Sequence, residues 1–188
     1  IISFKYHNGT EWNGTGVIHA ASNTALSNMT VESNGQWTSA VAAAAVVIRS
    51  TTNTKIERVA AKSINAWIMV GGVYVENSVG VTLKNISTYA GGGMWTTSLA
   101  VHGSAVLDNV TATTDTPNYS DTHTALSCSG TIEINNSRIG NDNSNIAINA
   151  ASGAGVFISN TRIHGQIMAS GMKCVGVFDS NYNPIVCQ

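Results

Sequence analysis

Apolar and polar residues alternate in a short pattern that returns along almost the whole chain. The pattern is clearest at 81–86, where Val81, Leu83 and Ile86 are apolar and Thr82, Lys84 and Asn85 are polar. Six further copies lie at 24–29, 54–59, 105–110, 132–137, 156–161 and 175–180, separated by steps of 19 to 30 residues. A period in this range is typical of a solenoid. The repeat therefore predicts one domain built from stacked, similar units.

Each copy is flanked by two further short apolar stretches, such as Val17-Ile18-His19 before the first copy and residues 29–31 after it. Three strands per repeat, turned inward and stacked on the next repeat about 4.8 Å away, form a parallel β-helix. We therefore predict an all-β chain of about seven coils, with residues 17–173 as the β-helix, 1–16 as an N-terminal cap and 174–188 as a C-terminal cap. Alanine fits strand and helix equally, so Ala40 to Ala45 could adopt either.

A column of polar residues, mostly Asn, follows the central apolar residue of each copy by two positions. Its members are Asn28, Arg58, Asn85, Asn109, Asn136, Asn160 and Asp179. Asn tolerates left-handed backbone angles, and stacked Asn amides can both donate and accept hydrogen bonds. The column resembles the asparagine ladder of right-handed parallel β-helix proteins, the pectate-lyase-like superfamily. The resemblance implies a right-handed β-helix. It leaves the activity open, because that superfamily includes polysaccharide lyases, glycoside hydrolases, phage tailspikes and adhesins.

Composition excludes some classes of partner. Charged residues make up 10% of the chain and the formal net charge is −1, which gives no electrostatic basis for binding nucleic acid or an anionic membrane. The longest apolar run, Ala40 to Ile48, is too short to span a bilayer. Cys174 and Cys187 bracket the last segment and are expected to form a disulfide, whereas Cys128 falls at an inward position and is expected to be free.

Aromatic residues recur in the loops that follow the third strand of four repeats. They are Trp37, Trp67, Trp95 and Tyr119, each 11 or 12 residues after the central apolar residue of its copy. This spacing predicts that all four lie along one edge of the solenoid, where flat apolar rings can stack on sugars. Packing against each other, or burial against a partner subunit, would explain the same spacing. Both interpretations remain open at this point.

A second column is expected on the first strand of each repeat, next to the aromatic loops. It contains His19, Arg49, Glu76, His102, Ser127 and Asn149. Arg49 and His102 would flank Glu76, one coil below and one above, at about 5 Å. This arrangement could orient a glycan or transfer a proton, although such columns more often only balance surface charge. Each copy of the repeated pattern is expected to form one strand, which we call the anchor strand, with the central apolar residue as its anchor. On these strands Ser27, Glu57, Lys84, Asp108 and Asn135 are expected to form an outward column with a purely structural role.

Evidence for catalysis is slight. The candidates are Glu76, His102, Asp121 and His123, but no clear pair of catalytic carboxylates and no calcium-binding acidic cluster stands out. The His residues lack the spacing of metal ligands, and no cofactor motif occurs. We therefore expect no metal and no cofactor.

The pattern favours an extracellular glycan-binding β-helix, secreted or carried on a cell or virion surface. It would bind polysaccharide along Trp37, Trp67, Trp95 and Tyr119, with Arg49, Glu76 and His102 as polar contacts. The alternative is a structural or adhesive module that uses the aromatic edge to form a homo-oligomer, a trimer or a filament. A polysaccharide lyase or glycoside hydrolase ranks below both.

Overall fold

The computed structural model describes residues 4–6, 14–34, 42–64, 69–92, 95–114, 122–141 and 145–187. Within these residues the chain is all-β, without a helix, and most strands pair in parallel in a single sheet that coils into a solenoid. Fourteen strands are described: β1 (Phe4–Tyr6), β2 (Gly14–Ala20), β3 (Ala25–Asn34), β4 (Ala42–Arg49), β5 (Lys55–Ile64), β6 (Met69–Gly91), β7 (Trp95–Thr114), β8 (His123–Asn135), β9 (Arg138–Ile139), β10 (Ile146–Ala150), β11 (Gly155–Ser159), β12 (Arg162–Ile163), β13 (Gln166–Met168) and β14 (Lys173–Val175). The predicted fold class, a parallel β-helix, is confirmed.

Each coil has three sides. In β6 and β7 one long strand runs along all three, and the pairing of these two strands is irregular at the first bend, between Glu76 and Val81. The first side comprises β2, β4, β10, β13 and the first parts of β6, β7 and β8. The second side holds the anchor strands, namely the first parts of β3 and β5, the middle parts of β6 and β7, the last part of β8, and then β11 and β14. The third side follows the Asn column and comprises residues 29–34, 59–64, 86–91 and 110–114 with β9 and β12.

The prediction of seven coils is wrong for complete turns, of which the structure supports about four. The third side is a full strand in β3, β5, β6 and β7, but it is only two residues long in β9 and β12. In the last coil it is reduced to an isolated bridge between Arg162 and Phe178. Coils near the C-terminus are therefore closed on two sides and only partly on the third.

The core is a set of inward-facing lines, one residue per coil. On the second side, Ile56, Leu83, Leu107 and Ile134 align by strand pairing and are fully buried. On the first side, Val46, Val73, Leu99, Leu126 and Ile148 form a corresponding buried line. Alternation along each strand turns these side chains inward and their neighbours outward. The anchor positions were thus predicted correctly in these coils.

The final anchor copy is out of register. Ile158 pairs with Cys174 and Ser159 with Val175, so the bend after them falls at Gly176, not at Asp179. Gly176 has a φ of 64° and lies against the Asn160 side chain, where a Cβ atom would be crowded. Asp179 is therefore not a member of the Asn column. Val177 and Asp179 fit the sequence pattern, but the last coil is shorter than the pattern assumes.

The two ends are covered differently. At the N-terminus, β1 pairs antiparallel with β2 through Phe4 and Gly16. At the C-terminus, Cys174 and Cys187 form the predicted disulfide with a Cα–Cα distance of 5.7 Å. Cys128 is a free, buried thiol, as expected, and burial raises its pKa to about 11. Residues 42–45 of the alanine run belong to β4 and are strand, while Ala40 and Val41 lie outside the described residues.

Candidate functional site: a groove on the third side

A groove runs along the third side, parallel to the solenoid axis. Its floor is a line of small outward residues joined coil to coil by strand pairing: Thr30, Ala60, Ser87 and Thr111. Small side chains leave room above the sheet, and the resulting cavity measures about 590 Å³. It crosses four coils, a length of roughly 14 Å at the spacing of parallel strands. We call this cavity the third-side groove.

The Asn column forms one edge of the third-side groove. Asn28, Arg58, Asn85 and Asn109 all line it, and all four have φ between 53° and 56°. A left-handed residue at this position makes the sharp bend between the second and third sides. The bend brings the polar ends of these side chains to the rim of the groove.

Hydrogen bonds along this edge are mixed. Asn109 Nδ2 donates to Asn85 Oδ1 at 2.8 Å, which is a direct amide-to-amide contact between adjacent coils. Arg58 Nε donates to Asn28 Oδ1 at 2.6 Å, and Asn136 Nδ2 donates to Asp108 Oδ1 at 3.0 Å. A continuous asparagine ladder therefore stays a prediction. The edge presents both donors and acceptors to the groove.

A second outward column lies two residues further along the third side. It pairs Glu32 with Lys62, Lys62 with Tyr89 and Tyr89 with Thr113. Lys62 Nζ lies 3.8 Å from Glu32 Oε1 and 6.0 Å from the centre of the Tyr89 ring. The groove floor thus runs between a row of amides and a row that contains an ammonium group and an aromatic ring.

The predicted first-side column is only partly correct. Strand pairing aligns Arg49 with Glu76 and Glu76 with His102, as expected, but the next residue in line is Ser129. His19, Ser127 and Asn149 belong to a different line, two residues closer to the strand starts, which runs through Val47, Tyr74 and Ala100. Each first-side strand has two inward residues. The prediction aligned Ile18 with Ile48, whereas strand pairing aligns Ile18 with Val46, so this part of the predicted column is shifted by two positions.

Contacts within the Arg49, Glu76 and His102 line are those of a stabilised ion pair. Arg49 Nε lies 2.8 Å from Glu76 Oε2, and both side chains are about three-quarters buried. His102 Nδ1 is 3.0 Å from Ser129 Oγ, and its ring meets that of Tyr74 edge-on at 5.9 Å. Burial lowers the pKa of His102, and the Glu76 carboxylate acts in the opposite direction. Burial raises the pKa of the Tyr74 hydroxyl, and Glu76 adds to that rise. Neutral imidazole and phenol are therefore favoured here.

The ion-pair line lies near the end of the first side. Glu76 is seven residues beyond Met69, the first residue of β6, and close to the turn to the second side. Seven residues of strand span up to about 23 Å. Trp37, Trp67, Tyr119 and Asp121 lie outside the described residues, as does the side chain of Trp95 at the start of β7. The aromatic edge and its position relative to the ion-pair line therefore stay predictions.

His123, the other catalytic candidate, begins β8 and is only 2% exposed. An imidazole at this depth cannot meet a polysaccharide on the surface, so His123 does not belong to an open site. The described residues contain no group of three or more His, Cys, Asp or Glu arranged to hold a metal ion. No helix in the described part of the chain is long and apolar enough to cross a membrane.

The outward charges of the second side follow the predicted order. Ser27, Glu57, Lys84, Asp108 and Asn135 are joined by strand pairing. Lys84 Nζ approaches Asp108 Oδ2 to 3.5 Å, and the Glu57 carboxylate is paired with Lys55 at 2.7 Å. The hydrogen bond from Lys55 is the main cause of the lowered pKa of Glu57. Pairs this exposed contribute little each.

Sequence reasoning missed the third-side groove and one exposed aromatic. Phe157 faces outward from β11, 42% exposed, with the Lys173 ammonium 5.8 Å from its ring. Alternation could have found Phe157, since it lies between the inward residues Val156 and Ile158. The groove floor carried no such signal, because Thr, Ala and Ser are ordinary surface residues of a strand.

Comparison of the chain with protein-family models, with curated proteins and with solved structures finds no match in any of the three. The likeness to the pectate-lyase-like superfamily rests on the sequence pattern alone.

Proposed function

We propose that the protein is an extracellular carbohydrate-binding β-helix of the pectate-lyase-like, tailspike or adhesin type, and that it holds an extended polysaccharide against its outer surface. The observation that carries the proposal is the third-side groove, a cavity of about 590 Å³ whose polar lining consists of amides, hydroxyls and the guanidinium group of Arg58. An extended glycan needs a shallow channel with many hydrogen-bonding groups, and the third-side groove is such a channel. The cations beside it are compensated, because Arg58 is ion-paired with Glu57 and Lys62 with Glu32. The disulfide supports an oxidising, extracellular location.

The groove and the predicted aromatic edge would act together. The third-side strands end at Asn34, Ile64, Gly91 and Thr114, and the aromatic loops follow directly. A chain lying in the groove would therefore have Trp37, Trp67, Trp95 and Tyr119 on its loop side. Stacking on those rings supplies affinity, while the amides of the Asn column supply the hydrogen bonds that orient the sugar.

Groove occupancy is tested by filling the floor. Ser87→Phe places a ring in the middle of the groove from an exposed outward position. Thr82→Phe is the matched control, because Thr82 faces outward on the second side of the same strand. Binding to a panel of neutral and acidic polysaccharides is measured by affinity electrophoresis, with light scattering for mass. We expect Ser87→Phe to weaken binding by at least about tenfold and Thr82→Phe to leave it unchanged.

The Trp67→Ala variant tests whether the groove and the loop edge bind the same polysaccharide. If both Ser87→Phe and Trp67→Ala weaken binding, the two surfaces hold the same chain. Loss in Trp67→Ala alone would move the site to the loops. An unmodified protein that binds no member of the panel, or a Ser87→Phe variant that binds as well as wild type, would contradict the groove proposal.

The alternative, a structural or adhesive module, is favoured by apolar side chains exposed in the last coils. Val175 is 70% exposed and Val186 is 85% exposed. Clusters of this kind on a surface often mark an assembly interface. A stable trimer or larger mass that falls to monomer in Val175→Asp, with no polysaccharide binding, would favour this function. An enzyme is the least supported function, because the carboxylate of Glu76 is bound by Arg49.

A further inference from the structure

The floor of the third-side groove leads directly into two arginines. Strand pairing aligns Thr111 with Arg138, and Arg138 with Arg162. Both arginines thus continue the line of Thr30, Ala60, Ser87 and Thr111 at the same outward position, one strand spacing of about 4.8 Å apart. Along the groove, Arg58 is ion-paired with Glu57 and Lys62 with Glu32, whereas two arginines lie together at one end. The distribution of charge is therefore asymmetric along the solenoid axis.

The charge of the two arginines is not neutralised within the described part of the chain, where neither forms an ion pair. Arg162 Nε is also buried without a hydrogen-bond acceptor. Asp179 follows Phe178, which forms an isolated bridge with Arg162. Its carboxylate accepts from the backbone N–H groups of Asn181 and Asn183 and from the Asn183 side chain. Two like charges on adjacent strands repel each other, so a bound anion would stabilise both.

Arg162 is held in place by Tyr182. Arg162 Nη1 donates to the Tyr182 hydroxyl at 2.9 Å, and the guanidinium carbon lies 5.2 Å from the ring centre. Tyr182 itself has a φ of 63°, a left-handed conformation that a bulky residue adopts only at a cost. The C-terminal turn therefore contains a strained residue, Tyr182, whose side chain orients the guanidinium group of Arg162. A pre-positioned guanidinium loses less freedom when an anion binds.

We propose that Arg138 and Arg162 form an oxyanion site at the end of the third-side groove, and that it takes a sulfate or phosphate ester carried by the bound polysaccharide. A tetrahedral ester has three terminal oxygens and can accept hydrogen bonds from two guanidinium groups at once, whereas the two oxygens of a carboxylate suit one fork. The inference rests on the proposed glycan-binding function. It adds that the polysaccharide is anionic, and it gives the direction in which the polysaccharide lies along the groove.

Three dextrans on the same backbone test the site: unmodified dextran, carboxymethyl dextran and dextran sulfate. Binding is measured by calorimetry at low and at high salt, with dextran phosphate as a further arm to separate sulfate from phosphate. We expect dextran sulfate to bind more tightly than carboxymethyl dextran, and unmodified dextran to bind least. Arg138→Gln and Arg162→Gln should each weaken dextran sulfate binding by about tenfold and leave binding of unmodified dextran unchanged.

Lys173→Gln is the charge-matched control, because Lys173 faces outward on the second side. Tyr182→Phe keeps the ring but removes the hydrogen bond to Arg162, and should give a smaller loss than Arg162→Gln. Arginine variants that bind dextran sulfate like wild type, or a Lys173→Gln variant that loses as much, would overturn the oxyanion site. If Ser87→Phe still weakens polysaccharide binding in that case, the proposed function survives without it. If Ser87→Phe also has no effect, both proposals fail.

Discussion

The middle of the solenoid and its C-terminal end are stabilised by different interactions, although the same sequence pattern runs through both. In the middle, β6 and β7 pair along all three sides, and Leu83 and Leu107 are fully buried between neighbouring coils. At the end, β12, β13 and β14 have two or three residues each. There a disulfide and a turn around Asp179 stabilise the chain in place of long paired strands. A coil can therefore keep the pattern and still lack the pairing that makes it self-supporting.

The largest effect is expected in the middle. Leu107→Ala would leave a cavity between Leu83 and Ile134 that the paired strands cannot close, and should lower the free energy of unfolding by about 2–5 kcal/mol. Val106→Ala is the control, because Val106 is its outward neighbour on β7 and should cost less than about 1 kcal/mol. Urea denaturation followed by circular dichroism measures both. Equal effects would contradict the assignment of these two faces.

Breaking the disulfide tests the C-terminal end. Cys174 and Cys187 are 13 residues apart, and closing a loop of about this size stabilises by about 3 kcal/mol in the chain-entropy model. Cys174→Ser with Cys187→Ser should increase hydrogen exchange in residues 166–187 and leave β6 and β7 protected. Uniform loss of protection along the whole chain would show that the two regions unfold as one unit.

Two glycines, Gly130 and Gly153, differ in the space around them and so test how closely the coils stack. Gly130 has a φ of 102° and lies directly on the backbone of Gly103 in the coil below, so a Cβ would collide with that backbone. Gly153, in the turn before β11, has a φ of 82° but open space around it. Gly153→Ala should cost only the backbone strain, about 1 kcal/mol, and Gly130→Ala about 1–3 kcal/mol more. Melting temperatures of the two variants decide this, and similar values would contradict the close stacking.

The regular coils are the part of the molecule that the sequence predicts well. From Ile56 to Ile158 the anchors are inward and in register, and the second-side charges follow their predicted order, because strands of period two leave one choice of face once the core is assigned. The last coil is different, since Gly176 makes the bend where the pattern suggested Asp179. Glycine adopts a positive φ without a polar side chain, so a search of the sequence for Asn does not find this bend.

The candidate site was predicted less well, for two physical reasons. Two inward residues per first-side strand give two equally good alignments, and the wrong one placed His19 in line with Arg49. The floor of the groove consists of small side chains: Thr30, Ala60 and Ser87 form a channel only because their neighbours are larger. Volume left empty by small residues needs coordinates to be seen.

The smallest effect concerns pH and the C-terminal turn. The Asn183 side-chain amide, followed by the backbone N–H groups of Asn183 and Asn181, lowers the pKa of Asp179 below the ordinary value for Asp, which is about 3.9. A lowered pKa in the folded state means that the ionised carboxylate stabilises the turn. This contribution is complete above about pH 4 and is lost as the pH falls through the folded-state pKa. Asp179 lies at the surface and is partly exposed, so solvent screening keeps the gain small.

Asp179→Asn should therefore remove the part of the acid sensitivity that belongs to the C-terminal end. The backbone amide resonances of Asn181 and Asn183, followed by NMR from pH 6 to pH 2, should titrate together in the wild type and stay still in the variant. Glu32→Gln, at the opposite end of the solenoid, is the control and should leave those two resonances titrating as before. If the amides of Asn181 and Asn183 move with the ordinary pKa of an unstructured Asp, the turn does not depend on the carboxylate. The disulfide would then hold the C-terminal coils alone, and the contrast with the strand-paired middle would be sharper.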